Sequence, residues 1–364
     1  MTKFIRRHAL PPLAVLIVVL AAACGSSSSN GGASNTSGST GSTGAQLSQT
    51  TLSGSGSTFQ DPFDEAVFRD FTSEAQPNVT VNYNPVGSGQ GQTDLAGGVT
   101  DFAGSDSLVK DADKSSFKGS FLYIPIASAP ITISFNVNGV DKLTLSASTL
   151  AKIFSTSIKT WDDSAIKADN PGVDLPSTSI TVVHRSDGSG TTSNFTSYLA
   201  AAAPSDWTLG SDKTVAWASS TVGAEGNPAV ASKIKGTDGA IGYVDFADAT
   251  QAGLKFASIK NSAGSVVAPT LDGATAAMAS ATVTADVTVS PMNAPGADAY
   301  PITSPTYLIV YSTQSNHAKG LAVKALLEYV LGPGQQKATA LDFAPLPDAL
   351  LAKAKAQVDK IQVP

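Results

Sequence analysis

Cysteine occurs once in this 364-residue chain, as Cys24, so no intramolecular disulfide is possible. Histidine is almost as scarce. His8, His184 and His317, with that single cysteine, offer no cluster of the ligands a transition metal prefers. Charge is thin as well: 14% of residues are Asp, Glu, Lys or Arg, and the formal net charge is −6. Non-specific nucleic-acid binding needs clustered basic residues, and no basic run follows the first seven positions. The signatures of common hydrolases and nucleotide-binding enzymes are missing too. There is no Gly-x-Ser-x-Gly elbow, no Walker A loop and no His-Glu-x-x-His zinc motif. His184 reads as a packed or capping residue, and His317 falls at the start of an expected helix.

What is present begins with an export signal. Lys3, Arg6 and Arg7 form a basic head, and Ala9 to Ala23 form an apolar stretch too short to span a membrane comfortably. Residues 1–23 are therefore read as a signal peptide, with both general and twin-arginine export open. The run Ala21-Ala22-Ala23-Cys24 resembles the lipobox of bacterial lipoproteins, although that pattern usually has Leu where Ala21 stands. The resemblance implies lipidation of Cys24 and a lipid anchor on the outer face of the cell membrane. From Gly25 to Ala45 every residue is Gly, Ser, Asn, Ala or Thr. Such a segment buries too little apolar surface to offset its ordering entropy, so residues 24–46 are expected to be a flexible tether. Its typical reach is on the order of 25 Å. Folding should start near Leu47.

Two kinds of segment then alternate. Val79–Tyr83, Phe121–Ile126, Ile131–Val137, Ile180–His184, Ala240–Val244 and Tyr307–Tyr311 read as strands. Phe63–Ala75, Ser148–Phe154 with a Ser cap, Ser193–Ala202, His317–Leu331 and Asp348–Ile361 read as helices, with Gly332-Pro333-Gly334 closing the fourth. This is an α/β pattern with mixed sheets. Pro125–Pro130 and Tyr300–Pro305 look like crossings between lobes. If so, residues 47–128 and 301–364 form one lobe and 129–300 the other, with a ligand cleft between them that closes by hinge motion. Trp161-Asp162-Asp163 reads as a surface loop.

The segment richest in chemistry is Arg185-Ser186-Asp187-Gly188-Ser189-Gly190-Thr191, between a strand and a helix. Helix N-termini offer unpaired N–H groups and a partial positive charge, and glycine lets the backbone approach an anion closely. Arg185 adds forked donors, and Asp187 is near enough to hold the guanidinium in place. Three other segments have similar composition: Ser53 to Phe59, Gly87 to Gly91, and Asp101 to Asp106. Thr58 and Ser88 are the natural hydroxyl donors there, with the backbone N–H of Phe59 beside them.

Together these blocks resemble the PstS family, the phosphate-binding component of the bacterial high-affinity phosphate ABC transporter. The resemblance rests on Gly54-Ser55-Gly56-Ser57-Thr58-Phe59, Gly87-Ser88-Gly89, Ser105-Asp106, Lys159 to Asp163, Arg185 to Thr191, Gly239 to Tyr243 and Tyr300 to Thr303. Gly89 departs from it, since the family often has Ser there. The resemblance implies a two-lobed periplasmic-binding-protein fold of type II, with phosphate in the cleft. Thr58, Phe59, Ser88 and Asp106 would contact it from one lobe; Arg185, Ser189, Gly190 and Thr191 would do so from the other, with Asp187 restraining Arg185. It also implies permease subunits as partners, with no catalytic residue, cofactor or metal. The alternatives are a receptor of the same fold for sulfate, molybdate or a phosphonate, and a phosphohydrolase.

Overall fold

The computed structural model describes residues 46–364. The signal segment, Cys24 and all but the last residue of the tether lie outside the described residues. Among the described residues, no helix is long and apolar enough to cross a membrane.

The strands are β1 (Thr50–Gly56), β2 (Val79–Asn84), β3 (Phe102–Ser105), β4 (Phe121–Asn136), β5 (Thr144–Leu145), β6 (Thr181–Arg185), β7 (Val222–Ala224), β8 (Ala240–Asp245), β9 (Lys255–Phe256), β10 (Ser258–Lys260), β11 (Val266–Val267) and β12 (Thr303–Tyr311). The helices are α1 (Asp61–Asp70), α2 (Ser88–Gly97), α3 (Ala147–Phe154), α4 (Ser164–Asp169), α5 (Gly190–Ala202), α6 (Gly226–Lys235), α7 (Phe246–Gln251), α8 (Leu271–Ala279), α9 (His317–Val330) and α10 (Asp348–Val358). The main sheet runs β2-β1-β3-β12-β4-β8-β6-β7, with β9 also on β4; β11-β10-β5 form a second, small sheet. In the main sheet the central pairs β3-β12, β12-β4 and β4-β8 are antiparallel and the flanking pairs are parallel, so the sheet is mixed.

Strand β4 organises the molecule. Its first part pairs with β12, ending at Pro130 opposite Thr303, and from Ile131 onward it pairs with β8. Every residue from Tyr123 to Phe135 is buried, as expected of a strand covered on both faces. Pro125–Pro130 is therefore not a link between two strands, as the sequence suggested. Pro125 pairs with Tyr307 and immediately precedes the register shift at Ile126, and Pro130 stands where β4 changes partner. At those places a missing N–H does least harm to the ladder. The second suspected crossing runs alongside this point: Ile131 N–H donates to Ile302 O (2.8 Å), and the Tyr300 hydroxyl donates to Ile131 O (2.9 Å).

Local details also differ from expectation. The helix beginning at Asp61 changes at Phe71 to a π-helical turn that ends at Ala75. Helix α3 is capped by Ser146, whose hydroxyl accepts from Thr149 N–H, and not by Ser148. Trp161 is not in a surface loop. It is fully buried against Phe135 and its indole N–H donates to Gly239 O (3.0 Å). Asp163 caps α4, which explains the charge beside it. His184 is buried and stacked on Trp217, so packing accounts for it.

Candidate functional site

Four helices begin where the two halves of the sheet meet. Helix α1 follows β1 through Ser57-Thr58-Phe59-Gln60, and α2 follows Gly87. Helix α5 follows Arg185 to Ser189, and α6 starts at Gly226 after β7. The starts lie against one another. A Cβ added to Gly190 would stand 2.5 Å from Ser88 Oγ and 2.7 Å from Asp106 Oδ2, so only glycine fits the first position of α5. Each start brings the partial positive charge of a helix N-terminus to the same place.

Asp106, just past β3, is a carboxylate held within this ring of donors. It is buried, and Ser57 Oγ lies 2.7 Å from each of its oxygens. Thr306 Oγ1 on β12 is 2.7 Å from Oδ1, and Ser88 Oγ donates to Oδ2 at 3.5 Å. Burial pushes its pKa up to about 6, against the hydroxyls of Ser57 and Thr306 and the charge of Arg185, which all favour the ionised form. Its carbonyl accepts from Asn194 Nδ2 on α5 (2.7 Å), across the junction between the halves.

Arg185 ends β6 and is buried. Its Nε donates to Asp187 Oδ1 (2.7 Å) and its Nη2 to Asp187 Oδ2, a forked pair that fixes the guanidinium plane. Burial alone would raise the Asp187 pKa, but Arg185 and the N–H of Gly226 bring it below the ordinary carboxylate value. Ser189 caps α5, accepting from Thr192 N–H, and its own N–H donates to Lys213 O (3.0 Å). Its hydroxyl proton is thus left to donate elsewhere. Phe59 is placed differently from expectation: its N–H donates to Ser57 Oγ (3.0 Å) and its ring packs against Phe343.

A family model of the periplasmic-binding-protein (PBP) superfamily domain matches residues 39–333. The chain is 37% identical over 300 residues to phosphate-binding protein PstS 2 of Mycobacterium tuberculosis, covering 78% of this chain and 80% of that one. It is 32% identical over 317 residues to phosphate-binding protein PstS of Xylella fastidiosa, covering 85% of each. This chain belongs to the PstS family. The crystal structure of a phosphate binding protein from Stenotrophomonas maltophilia superposes with a TM-score of 0.66 at 22% identity, over 84% of this chain and 93% of that one. That likeness establishes the two-lobed fold seen in the PstS family.

Several residues around the PstS-like site carried no assigned role in the sequence. Ser57 lay inside a recognised block, and its contact with Asp106 becomes visible only when β1 and β3 pair. Asn194 is one helical turn beyond Gly190, a spacing that could have singled it out. Thr306 is brought to Asp106 by the pairing of β12 with β3, and Asn227 to Thr58 and Thr191 by the start of α6; neither carries a local signal.

Proposed function

We propose that this chain captures inorganic phosphate between the two halves of its sheet and delivers it to the membrane subunits of an ABC permease, without a catalytic step. Thr58, Ser88 and Asp106 contact the anion from one side. The Arg185 guanidinium, the Ser189 and Thr191 hydroxyls and the Gly190 N–H contact it from the other. The observation that carries this reading is Asp106, an acceptor set among donors and facing the first turn of α5. Phosphate at neutral pH still carries a proton that a carboxylate accepts, whereas sulfate carries none and would meet an unpaired charge.

Residues 47–128 with 301–364 act as one lobe and residues 129–300 as the other, hinged where β4 changes partner. Contacts such as Gly89 N–H to Gly188 O (2.7 Å) and Asn194 to Asp106 are those a closed cleft requires. Export by residues 1–23 and lipidation at Cys24 keep the receptor outside the cell, anchored to the membrane.

Titration calorimetry of the full chain, stripped of bound ligand, tests this. Tight one-to-one binding of phosphate, weak binding of sulfate and loss of binding in Arg185→Ala are expected. Absence of phosphate binding in the wild type would overturn the proposal.

A further inference from the structure

Asn227 is the second residue of α6, is fully buried, and has no place in the phosphate site proposed above. Its backbone N–H donates to Thr58 Oγ1 (3.2 Å), and its Nδ2 donates to the same oxygen (3.3 Å). The same Nδ2 donates to Thr191 Oγ1 (3.2 Å). Thr58 lies between β1 and α1, and Thr191 lies in the first turn of α5. One amide therefore reaches hydroxyls that come from opposite sides of the cleft.

A hydroxyl has one proton and two lone pairs. Thr58 Oγ1 accepts twice from Asn227, so its proton is left to donate. Thr191 Oγ1 accepts once, and its proton is likewise turned away from the amide nitrogen. An anion accepts hydrogen bonds and cannot give one to a hydroxyl lone pair, except through its own proton. Hydroxyls that face it productively must therefore be held as donors. Gly226 supports this placement. It has φ of 75°, its N–H donates to Asp187 Oδ1 (3.2 Å), and a Cβ there would stand 3.4 Å from Thr58 Cγ2. The same turn thus sets Arg185, through Asp187, and both threonines, through Asn227.

We infer that Asn227 is a positioning residue that fixes Thr58 and Thr191 as paired donors to phosphate, one from each side, when the cleft closes. This inference rests on the phosphate reading above. The opposite amide polarity would make both hydroxyls donate to Asn227 and turn their lone pairs toward the ligand.

The test is phosphate titration of the full chain for wild type, Asn227→Asp and Asn227→Ala at pH 7.5 and pH 5. Asn227→Asp keeps the shape but replaces two donors with an acceptor, so a loss of about a hundredfold is expected at pH 7.5. The deficit relative to wild type should shrink at pH 5, where a protonated carboxyl donates again. Asn227→Ala should cost about tenfold, with a ratio to wild type that does not change between the two pH values. If Asn227→Asp fails to fold, a double-mutant cycle of Asn227→Ala with Thr191→Val decides. Strongly non-additive losses support the inference and additive ones overturn it. A pH-independent deficit in Asn227→Asp, or affinity within threefold of wild type, also overturns it. Failure of the wild type to bind phosphate would instead remove the reading on which it rests.

Discussion

Thr306 and Asp106 are two hundred positions apart in the chain, yet Thr306 Oγ1 lies 2.7 Å from Asp106 Oδ1. The same hydroxyl is 2.5 Å from Gln60 Oε1, so two acceptors compete for one proton. When Asp106 is ionised the hydroxyl can donate to it; when Asp106 is protonated, the hydroxyl can donate to Gln60 Oε1 and accept from the carboxyl instead. The acidity of Asp106 is thus tied to a strand that shares none of the recognised anion-binding loops.

Discrimination between phosphate and sulfate should follow the charge on Asp106. With its pKa pushed up to about 6, sulfate affinity is expected to rise as pH falls through that value, because a protonated carboxyl donates to sulfate. Asp106→Asn should lower the phosphate-to-sulfate preference by roughly a hundredfold or more at pH 7.5. Thr306→Val removes a hydroxyl that favours the ionised form and should move the sulfate transition to higher pH. Competitive titrations across pH 5–8 measure all three; sulfate rejection in Asp106→Asn equal to wild type would sink the assignment.

Gly190→Ala places a methyl where Ser88 Oγ and Asp106 Oδ2 already stand. The proposed hinge would let the ligand-free chain open to make room, so thermal stability without phosphate should stay close to wild type. Phosphate affinity is expected to fall by about a hundredfold or more, since closure is blocked by a contact well inside van der Waals range. Calorimetry and a melting curve on the same sample separate the two effects.

Lys213 and Gln92 join the two sides at the rim. Lys213 Nζ donates to Gln92 Oε1, while Gln92 Nε2 donates to Ser105 Oγ and Ser107 O at 2.9 Å, flanking Asp106. Lys213 O accepts from Ser189 N–H, so the bond links the two turns proposed to hold the anion. Lys213→Met should speed phosphate release by about tenfold and leave the association rate nearly unchanged. Stopped-flow rates check this, and a slowed association with unchanged release would refute it.

Ligand-free stability should fall as pH rises from about 4 to 7. Burial raises Asp61 and Asp106 from the ordinary carboxylate value of 3.8 to about 6. A group with a raised folded-state pKa stabilises fully below its unfolded value, and that contribution is lost as pH climbs through the folded value. Asp64, buried with Oδ1 unpaired, is shifted in the same direction. The melting temperature without phosphate is expected to be several degrees higher at pH 5 than at pH 7.5, and Asp61→Asn should flatten that slope. A flat wild-type profile would contradict the assignment.

What was legible in the sequence was local. Arg185 and Asp187 are two residues apart, so their pairing could be anticipated, and so could the Gly- and Ser-rich starts of α2 and α5. What was not legible depends on sheet pairing. Thr306 meets Asp106 only because β12 lies beside β3, and Asn227 meets Thr58 only because α6 begins against α1's approach. Charge misled at Trp161, since Asp163 is a helix cap and not a sign of solvent. Proline misled at Pro125 and Pro130, which punctuate most strands but are tolerated at a register shift and at a change of partner.

That change of partner also makes the protein indivisible. Because the sixteen residues of β4 are shared, neither side of the sheet has a complete set of strands of its own. Cutting the chain after Pro130 would put β12 on a different fragment from β3 and the first part of β4, the strands it pairs with, and leave its edges unpaired. Such edges invite pairing with any exposed strand nearby. The two sides can be inherited, expressed or exchanged only together, unlike modules strung on a linker.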